Sequence, residues 1–191
     1  MKKNVSTPKM EYLNVRDVAV INKKIILSLD LGLNLGYVVG YFDEDKFVVI
    51  EIGTLNLNPK RRKKDSNNRC HVYRAFINFL NEVRPDKIYY EDIRYTPPKG
   101  CGGFGRLFVS LNILIALKAF LEDWACSNGC EVFAVNPSKI TAFLRRFQPE
   151  IAKEKKEAAI RSANIILGHP VVDSHSADAL LTIVVNEEYW N

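Results

Sequence analysis

The sequence is organised around residues 25–37, IILSLDLGLNLGY, an apolar run with a single carboxylate, Asp30, near its end. Two glycines follow, Gly32 and Gly36, and a second apolar run continues from Tyr37 to Phe42. This pattern predicts a buried strand, a turn and a second strand. An ionised carboxylate in a buried strand is costly unless a partner or a metal compensates it. Asp30 is therefore either paired or functional, the simpler alternative being a turn residue that accepts from the Gly32 amide.

Length and composition predict one globular domain. The chain has 191 residues, of which 47% are hydrophobic, enough for a full core. No apolar run approaches the roughly 18–20 residues of a membrane span, and the N-terminus has no signal-peptide core. The four cysteines, Cys70, Cys101, Cys126 and Cys130, lack zinc-site spacing. They predict reduced thiols and a cytoplasmic location.

The positive charge is concentrated in two places. The net charge is +5, yet residues 1–24 hold six basic against two acidic side chains, and one uninterrupted basic run follows later. That run consists of Lys60, Arg61, Arg62, Lys63 and Lys64. The rest of the chain is slightly acidic, which suits a body that holds cations and appendages that meet a polyanion. For the run we expect nucleic-acid contact rather than a merely solvated loop.

The order of predicted elements indicates an α/β fold. Residues 1–23 show no clear periodicity and predict a flexible basic extension, so the domain comprises residues 24–191. Strands are predicted at 25–31, 36–42, 46–54, 87–93 and 131–135, and helices at 67–83, 107–125, 137–146, 150–167 and from 173 or 174 to about 187. A meander followed by alternating units predicts a mixed five-stranded sheet with helices on both faces.

Four polar side chains are expected to converge at one edge of this sheet. Asp30 and Glu91 each stand near the C-terminal end of a predicted strand, where such sheets hold their ligands. His175 and Asp178 lie three residues apart at the start of the last helix and therefore face the same way. Asp173, just before them, is either a further ligand or the helix cap. Taken singly, Glu91 is also explained as a strand-end charge, and His175 and Asp178 as solvated residues of a first turn.

Grouped carboxylates repel one another unless a cation neutralises them. Oxygen ligands with one imidazole suit Mg²⁺ or Mn²⁺, and two such ions about 3.5–4 Å apart are usual for attack of water on a phosphodiester. We therefore expect Asp30, Glu91, His175 and Asp178 to be both the metal ligands and the catalytic residues of a two-ion site.

The same pieces resemble the RuvC-type Holliday junction resolvases of the ribonuclease H-like superfamily. The matching segments are 29–32 (LDLG) with Gly36-Tyr37, then 88–91 (IYYE), 135–139 (VNPSK) and 175–180 (HSADAL), so that the resemblance covers about residues 24–187. It implies a ribonuclease H-like fold and a metal-dependent endonuclease that resolves four-way DNA junctions. In this hypothesis Asp30 bridges both ions, Glu91 and Asp178 hold one each, and His175 ligates an ion or orients the water.

The resemblance also implies a homodimer, DNA contacts and a location in whichever compartment holds the DNA. An aromatic residue that opens the junction is expected after Glu91, where Tyr95 and Phe104 both qualify and Arg94 is nearer the usual place. The residues expected to contact DNA, besides the basic run, are Arg94, Tyr95, Phe104, Lys139, Lys153, Lys155 and Lys156. The basic N-terminal extension is longer than the family requires.

Three other functions compete with junction cleavage. One is a ribonuclease H-like nuclease that acts on RNA–DNA hybrids or on other branched or flap DNA. Another is an actin-like or sugar-kinase nucleotide site, which also opens with Asp-x-Gly but needs a second phosphate loop and a far longer chain. The third is a catalytically idle DNA-binding relative, which retention of all four polar groups disfavours.

Overall fold

The computed structural model describes residues 10–12, 23–44, 46–57, 68–92, 104–151, 153–171 and 173–186. The strands are β1 (Met10–Tyr12), β2 (Ile26–Asp30), β3 (Asn34–Asp43), β4 (Lys46–Asn56), β5 (Lys87–Glu91) and β6 (Glu131–Val135). The helices are α1 (Asn68–Val83), α2 (Phe104–Asn128), α3 (Pro137–Phe147), α4 (Lys155–Leu167) and α5 (Ser174–Val184).

The six strands form one mixed sheet in the order β1-β4-β3-β2-β5-β6. Strands β2, β3 and β4 make the predicted antiparallel meander, while β5 is parallel to β2 and β6 is parallel to β5. Consequently β2, β4, β5 and β6 all end at the same edge of the sheet. We call this edge, defined by Asp30, Asn56, Glu91 and Val135, the carboxyl edge.

Helices cover both faces of the sheet, which confirms the predicted α/β class. On one face α3, α4 and α5 form a core with residues such as Ile26, Val38 and Tyr89. On the other face α1 and α2 form a second core with Leu27, Leu29 and other strand residues. Strand β2 is therefore buried on both sides, which explains its nearly continuous apolar sequence.

The structure corrects the sequence prediction in three places. The sheet has six strands rather than five, because Met10–Tyr12, inside the predicted flexible extension, pairs in parallel with the edge strand β4. Helix α2 begins at Phe104 rather than near residue 107. Helix α4 begins at Lys155 rather than near 150, because the chain makes turns after α3 before the helix starts. Across the described ranges, no helix has the length and hydropathy needed to span a membrane.

Candidate active site

Asp30 and Glu91 end two adjacent parallel strands. Leu29 of β2 is opposite Tyr90 of β5, so Asp30 and Glu91 follow side by side at the carboxyl edge. Strand side chains alternate between faces, so both acids share the face of Ile26 and Tyr89, which α5 covers. Burial raises the pKa of both carboxyl groups above their ordinary values, and repulsion from Asp30 raises the pKa of Glu91 further.

Helix α5 brings His175 and Asp178 to the same place. His175 Nδ1 lies 2.8 Å from Asp30 Oδ2, a contact that joins residues 145 positions apart in the chain. Burial raises the pKa of Asp178 to about 7, with repulsion from Asp30 and Glu91 adding to the effect and His175 opposing it. The four predicted site residues are thus electrostatic neighbours, as their places in the sequence predicted.

Asp173 is the N-cap of α5. Its Oδ1 accepts hydrogen bonds from the Ser176 amide at 2.9 Å and from Thr54 Oγ1 at 2.8 Å. Ser176 completes a capping box by accepting from the Asp173 amide through its own hydroxyl. Although partial burial opposes the effect, these hydrogen bonds lower the pKa of Asp173. Of the two roles left open by the sequence, the structure supports that of helix cap.

A buried hydrogen bond joins α5 to the central strand. Ser28 Oγ, which is fully buried, donates to the Ala179 carbonyl at 2.7 Å. This bond holds α5 against β2 at the residue that directly follows Asp178. No role for Ser28 was predicted from the sequence. The signal that could have indicated one is a single hydroxyl side chain inside an apolar run.

The donor set has the chemistry of a divalent-cation site. Three carboxylates with raised pKa values and one imidazole face one another, and a cation would relieve both the burial cost and the mutual repulsion. Within the described part of the chain, however, no three His, Cys, Asp or Glu side chains stand ready as a coordination sphere. Asp30 instead contacts His175 through Oδ2.

The first turn of α4 supplies positive charge to the site. Lys155 lowers the pKa of Glu91, and Lys156 lowers the pKa of Asp30 and of Asp178. Both lysine side chains are exposed, as is Lys153 in the preceding turn. Lys155 and Lys156 therefore add positive charge beside the acidic cluster, and their contact with nucleic acid stays a prediction.

Lys139 lies at the same edge through a different element. Strand β6 ends at Val135, and α3 begins two residues later with Pro137. Asn136 caps this helix by accepting from the Ser138 amide at 3.0 Å. Lys139 is exposed on the first turn of α3, near the carboxyl edge.

The remaining predicted DNA-contact residues lie outside the described side chains. Residues 60–64 (Lys60 to Lys64), Arg94 and Tyr95 belong to undescribed segments, and Phe104 is described only as the first residue of α2. The described residues that precede two of these segments are the ends of β4 and β5, and both strands end at the carboxyl edge.

An ion pair that was not predicted from the sequence braces the end of β5. Lys118 Nζ of α2 lies 3.2 Å from Asp92 Oδ1, next to Glu91. The Asp92 amide also donates to the Val135 carbonyl at 2.8 Å. A single lysine in the apolar part of α2 was the available sequence signal for this contact.

The fold is similar to that of known junction resolvases. RuvC of Thermus thermophilus in complex with a Holliday junction substrate matches with a TM-score of 0.58 and 16% identity, over 84% of this chain and 91% of that chain. Another Thermus thermophilus RuvC structure matches with a TM-score of 0.57 and 16% identity, over 84% and 92%.

The fold is also similar to that of a resolvase from a eukaryote. The crystal structure of the yeast mitochondrial Holliday junction resolvase Ydc2 matches with a TM-score of 0.55 and 18% identity, over 85% of this chain and 77% of that chain. No protein-family model and no curated protein sequence matches the chain. The structural matches show that this chain has a fold similar to that of these resolvases, as the sequence motifs predicted.

Proposed function

We propose that this protein is a metal-dependent endonuclease that cleaves four-way DNA junctions by phosphodiester hydrolysis. The observation that supports it most directly is the convergence of Asp30, Glu91, His175 and Asp178 at one sheet edge. Lysines of α4 flank this cluster, as a phosphodiester substrate requires. The choice of junction DNA rests on the fold, because RuvC has been solved on that substrate.

In the proposed mechanism, Asp30, Glu91 and Asp178 would hold Mg²⁺ or Mn²⁺, with two ions per site. Such ions activate water and stabilise the leaving oxygen of a phosphodiester. His175 Nδ1 lies 2.8 Å from Asp30 Oδ2, so Nε2 is the ring nitrogen that this contact does not engage. His175 therefore serves as a ligand or as the group that orients the attacking water, and Lys155 and Lys156 bind the phosphates beside the cut.

The decisive experiment is cleavage of a synthetic four-way junction in Mg²⁺ or Mn²⁺, with each strand labelled in turn. Matched linear duplex, flap and RNA–DNA hybrid substrates are run in parallel. We expect paired nicks on opposed strands of the junction and no cutting of the duplex. Preferred cleavage of the hybrid or the flap would instead support a ribonuclease H-like nuclease, and cleavage of none would support a DNA-binding relative.

We also propose that the protein acts as a homodimer in the compartment that holds the DNA. Paired cuts on opposed strands need two sites, and each chain supplies one. Helix α2 offers apolar surface for such an association, since Ile115 and Phe120 are 53% and 39% exposed. Light scattering on the eluting protein should give twice the chain mass; a monomer that still makes paired nicks would contradict this arrangement.

A further inference from the structure

The first turn of α5 contacts a row of three residues that crosses the sheet. Asp30 of β2 is paired with Gly36 of β3, and Gly36 is paired with Thr54 of β4. Above this row, His175 binds Asp30, the His175 backbone lies against Gly36, and Asp173 accepts from Thr54. We call Asp30, Gly36 and Thr54 the helix seat.

The middle of the helix seat requires a glycine. A Cβ atom built at Gly36 would overlap the backbone carbonyl of His175. Any larger residue would therefore push the start of α5 away from β3, and with it the imidazole that contacts Asp30. The close approach of helix and strand depends on the missing side chain.

The outer end of the helix seat is a hydrogen bond to the helix cap. Thr54 Oγ1 donates to Asp173 Oδ1 at 2.8 Å, and the same oxygen accepts from the Ser176 amide. The cap is thus attached both to its own helix and to a strand two positions from β2 in the sheet. Because the bond joins residues 119 positions apart, it ties α5 to β4 rather than merely ending the helix.

We propose that Thr54, together with Gly36, is a positioning residue of the active site. It sets the height and rotation of the first turn of α5, and so places His175 and Asp178 against Asp30 and Glu91. The inference rests on the proposed function for its catalytic consequence, but not for its structural one. A hydrogen bond to a charged acceptor is strong enough to matter for such placement.

The test compares Thr54→Val, which removes the donor while keeping the shape, with Thr54→Ser, which keeps the hydroxyl. Thr141→Val is the matched control, because Thr141 also donates its hydroxyl to a neighbour, the Pro137 carbonyl of α3 at 3.2 Å. Amide exchange at Ser176 and Ala177 is measured in the metal-free full chain, alongside global unfolding by denaturant. Single-turnover cleavage and junction affinity are measured separately.

We expect Thr54→Val to speed exchange at Ser176 and Ala177 by about tenfold, the size expected for loss of a hydrogen bond to a carboxylate. Cleavage at saturating junction should slow by about tenfold as well, without a change in junction affinity. Thr54→Ser should keep both the exchange rate and the cleavage rate near wild type, and Thr141→Val should change neither rate.

Amide exchange at wild-type rates in Thr54→Val would overturn the positioning role. The same holds if Thr54→Ser or Thr141→Val changes exchange and cleavage as much as Thr54→Val does. If the wild-type protein cuts no junction, the proposed function fails, yet the exchange comparison still decides whether Thr54 holds α5 in place.

Discussion

At the scale of single residues, Asp30 carries the most connections in the site. It contacts His175 directly and raises the pKa of both Glu91 and Asp178. In the proposed mechanism, a carboxylate with these neighbours would be a ligand of the cations. Its amide replacement keeps the shape and loses the charge, so that the role of the charge can be tested alone.

Asp30→Asn should reduce junction cleavage by at least about 10³-fold, because a metal ligand contributes several kcal/mol to transition-state stabilisation. Junction affinity in the absence of divalent ions should not fall, since one negative charge fewer faces the phosphates. The matched control is Asp43→Asn at the opposite edge of the sheet, where Asp43 pairs with Lys23. Cleavage by Asp30→Asn at the wild-type rate would refute the assignment.

The raised pKa of Asp178 predicts an unusual pH dependence of stability in the metal-free protein. Burial and neighbouring acids raise its pKa from 3.8 to about 7, so ionisation costs the folded state more than the unfolded state. The unfolded state releases its proton first, and stability therefore falls as the pH rises from about 4 to about 7. Asp178→Asn removes this loss.

We expect Asp178→Asn, in the presence of a chelator, to melt several degrees above the wild type at pH 8, a gain of a few kcal/mol at most. The difference should vanish toward pH 4, where the wild-type carboxyl group is protonated. Asp123→Asn, at an exposed site on α2, is the control and should not change the melting temperature at either pH. An equal gain at both pH values would contradict the explanation.

The convergence of the four candidate site residues could be predicted from the sequence, but the residues that hold them in place could not. Asp30 and Glu91 stand at the ends of apolar runs, which is a local pattern. Ser28 and Thr54 act through hydrogen bonds to partners 151 and 119 positions away. No local periodicity encodes such contacts, because they exist only once α5 has packed on the sheet.

At the scale of elements, predictions succeeded where the apolar pattern is long and failed where it is short. Strands β2 to β6 and helices α1 to α5 were all expected from their periodicity. Strand β1 has only three residues and depends on its pairing with β4, so no period can be recognised in it. The start of α4 was misplaced because Glu154 makes no side-chain cap, and the sequence of residues 150–154 is equally compatible with helix and turn.

The first turn of α4 should contribute to DNA binding through charge alone. Replacing Lys155 and Lys156 together by Gln should weaken junction affinity and lower the slope of log affinity against log salt by about 2, since each lysine neutralises one phosphate. Lys24→Gln, at the far edge of the sheet, should leave the slope unchanged. An unaltered salt slope in the double variant would remove α4 from the DNA interface.

At the scale of the whole molecule, the topology gathers the functional groups. Four strands end at the carboxyl edge, and the first residues of α5, the last element of the chain, lie against the same edge. Ligands of α/β sheets bind at such edges because loops and helix starts meet there. The segments 58–67 and 93–103 follow β4 and β5 in the chain, and the DNA contacts predicted at 60–64 and 94–95 lie in these segments, outside the described residues.

Such an edge should also make the stability of the whole domain depend on divalent ions. Three carboxylates with raised pKa values destabilise the metal-free fold, and ions that bind only the folded state stabilise it. At a Mn²⁺ concentration of about 100 times its dissociation constant, the gain is about 2.7 kcal/mol. For a domain of this size, that gain corresponds to a rise in melting temperature of about 5–10 °C.

This rise is measured by thermal unfolding of the full chain with and without Mn²⁺, without DNA, so it does not depend on any catalytic activity. Asp30→Asn should lose most of the rise, because it removes the ligand that contacts or repels every other member of the site. Asp43→Asn should keep the full rise. If both variants respond like the wild type, the ions bind elsewhere, and Asp30 is not a metal ligand.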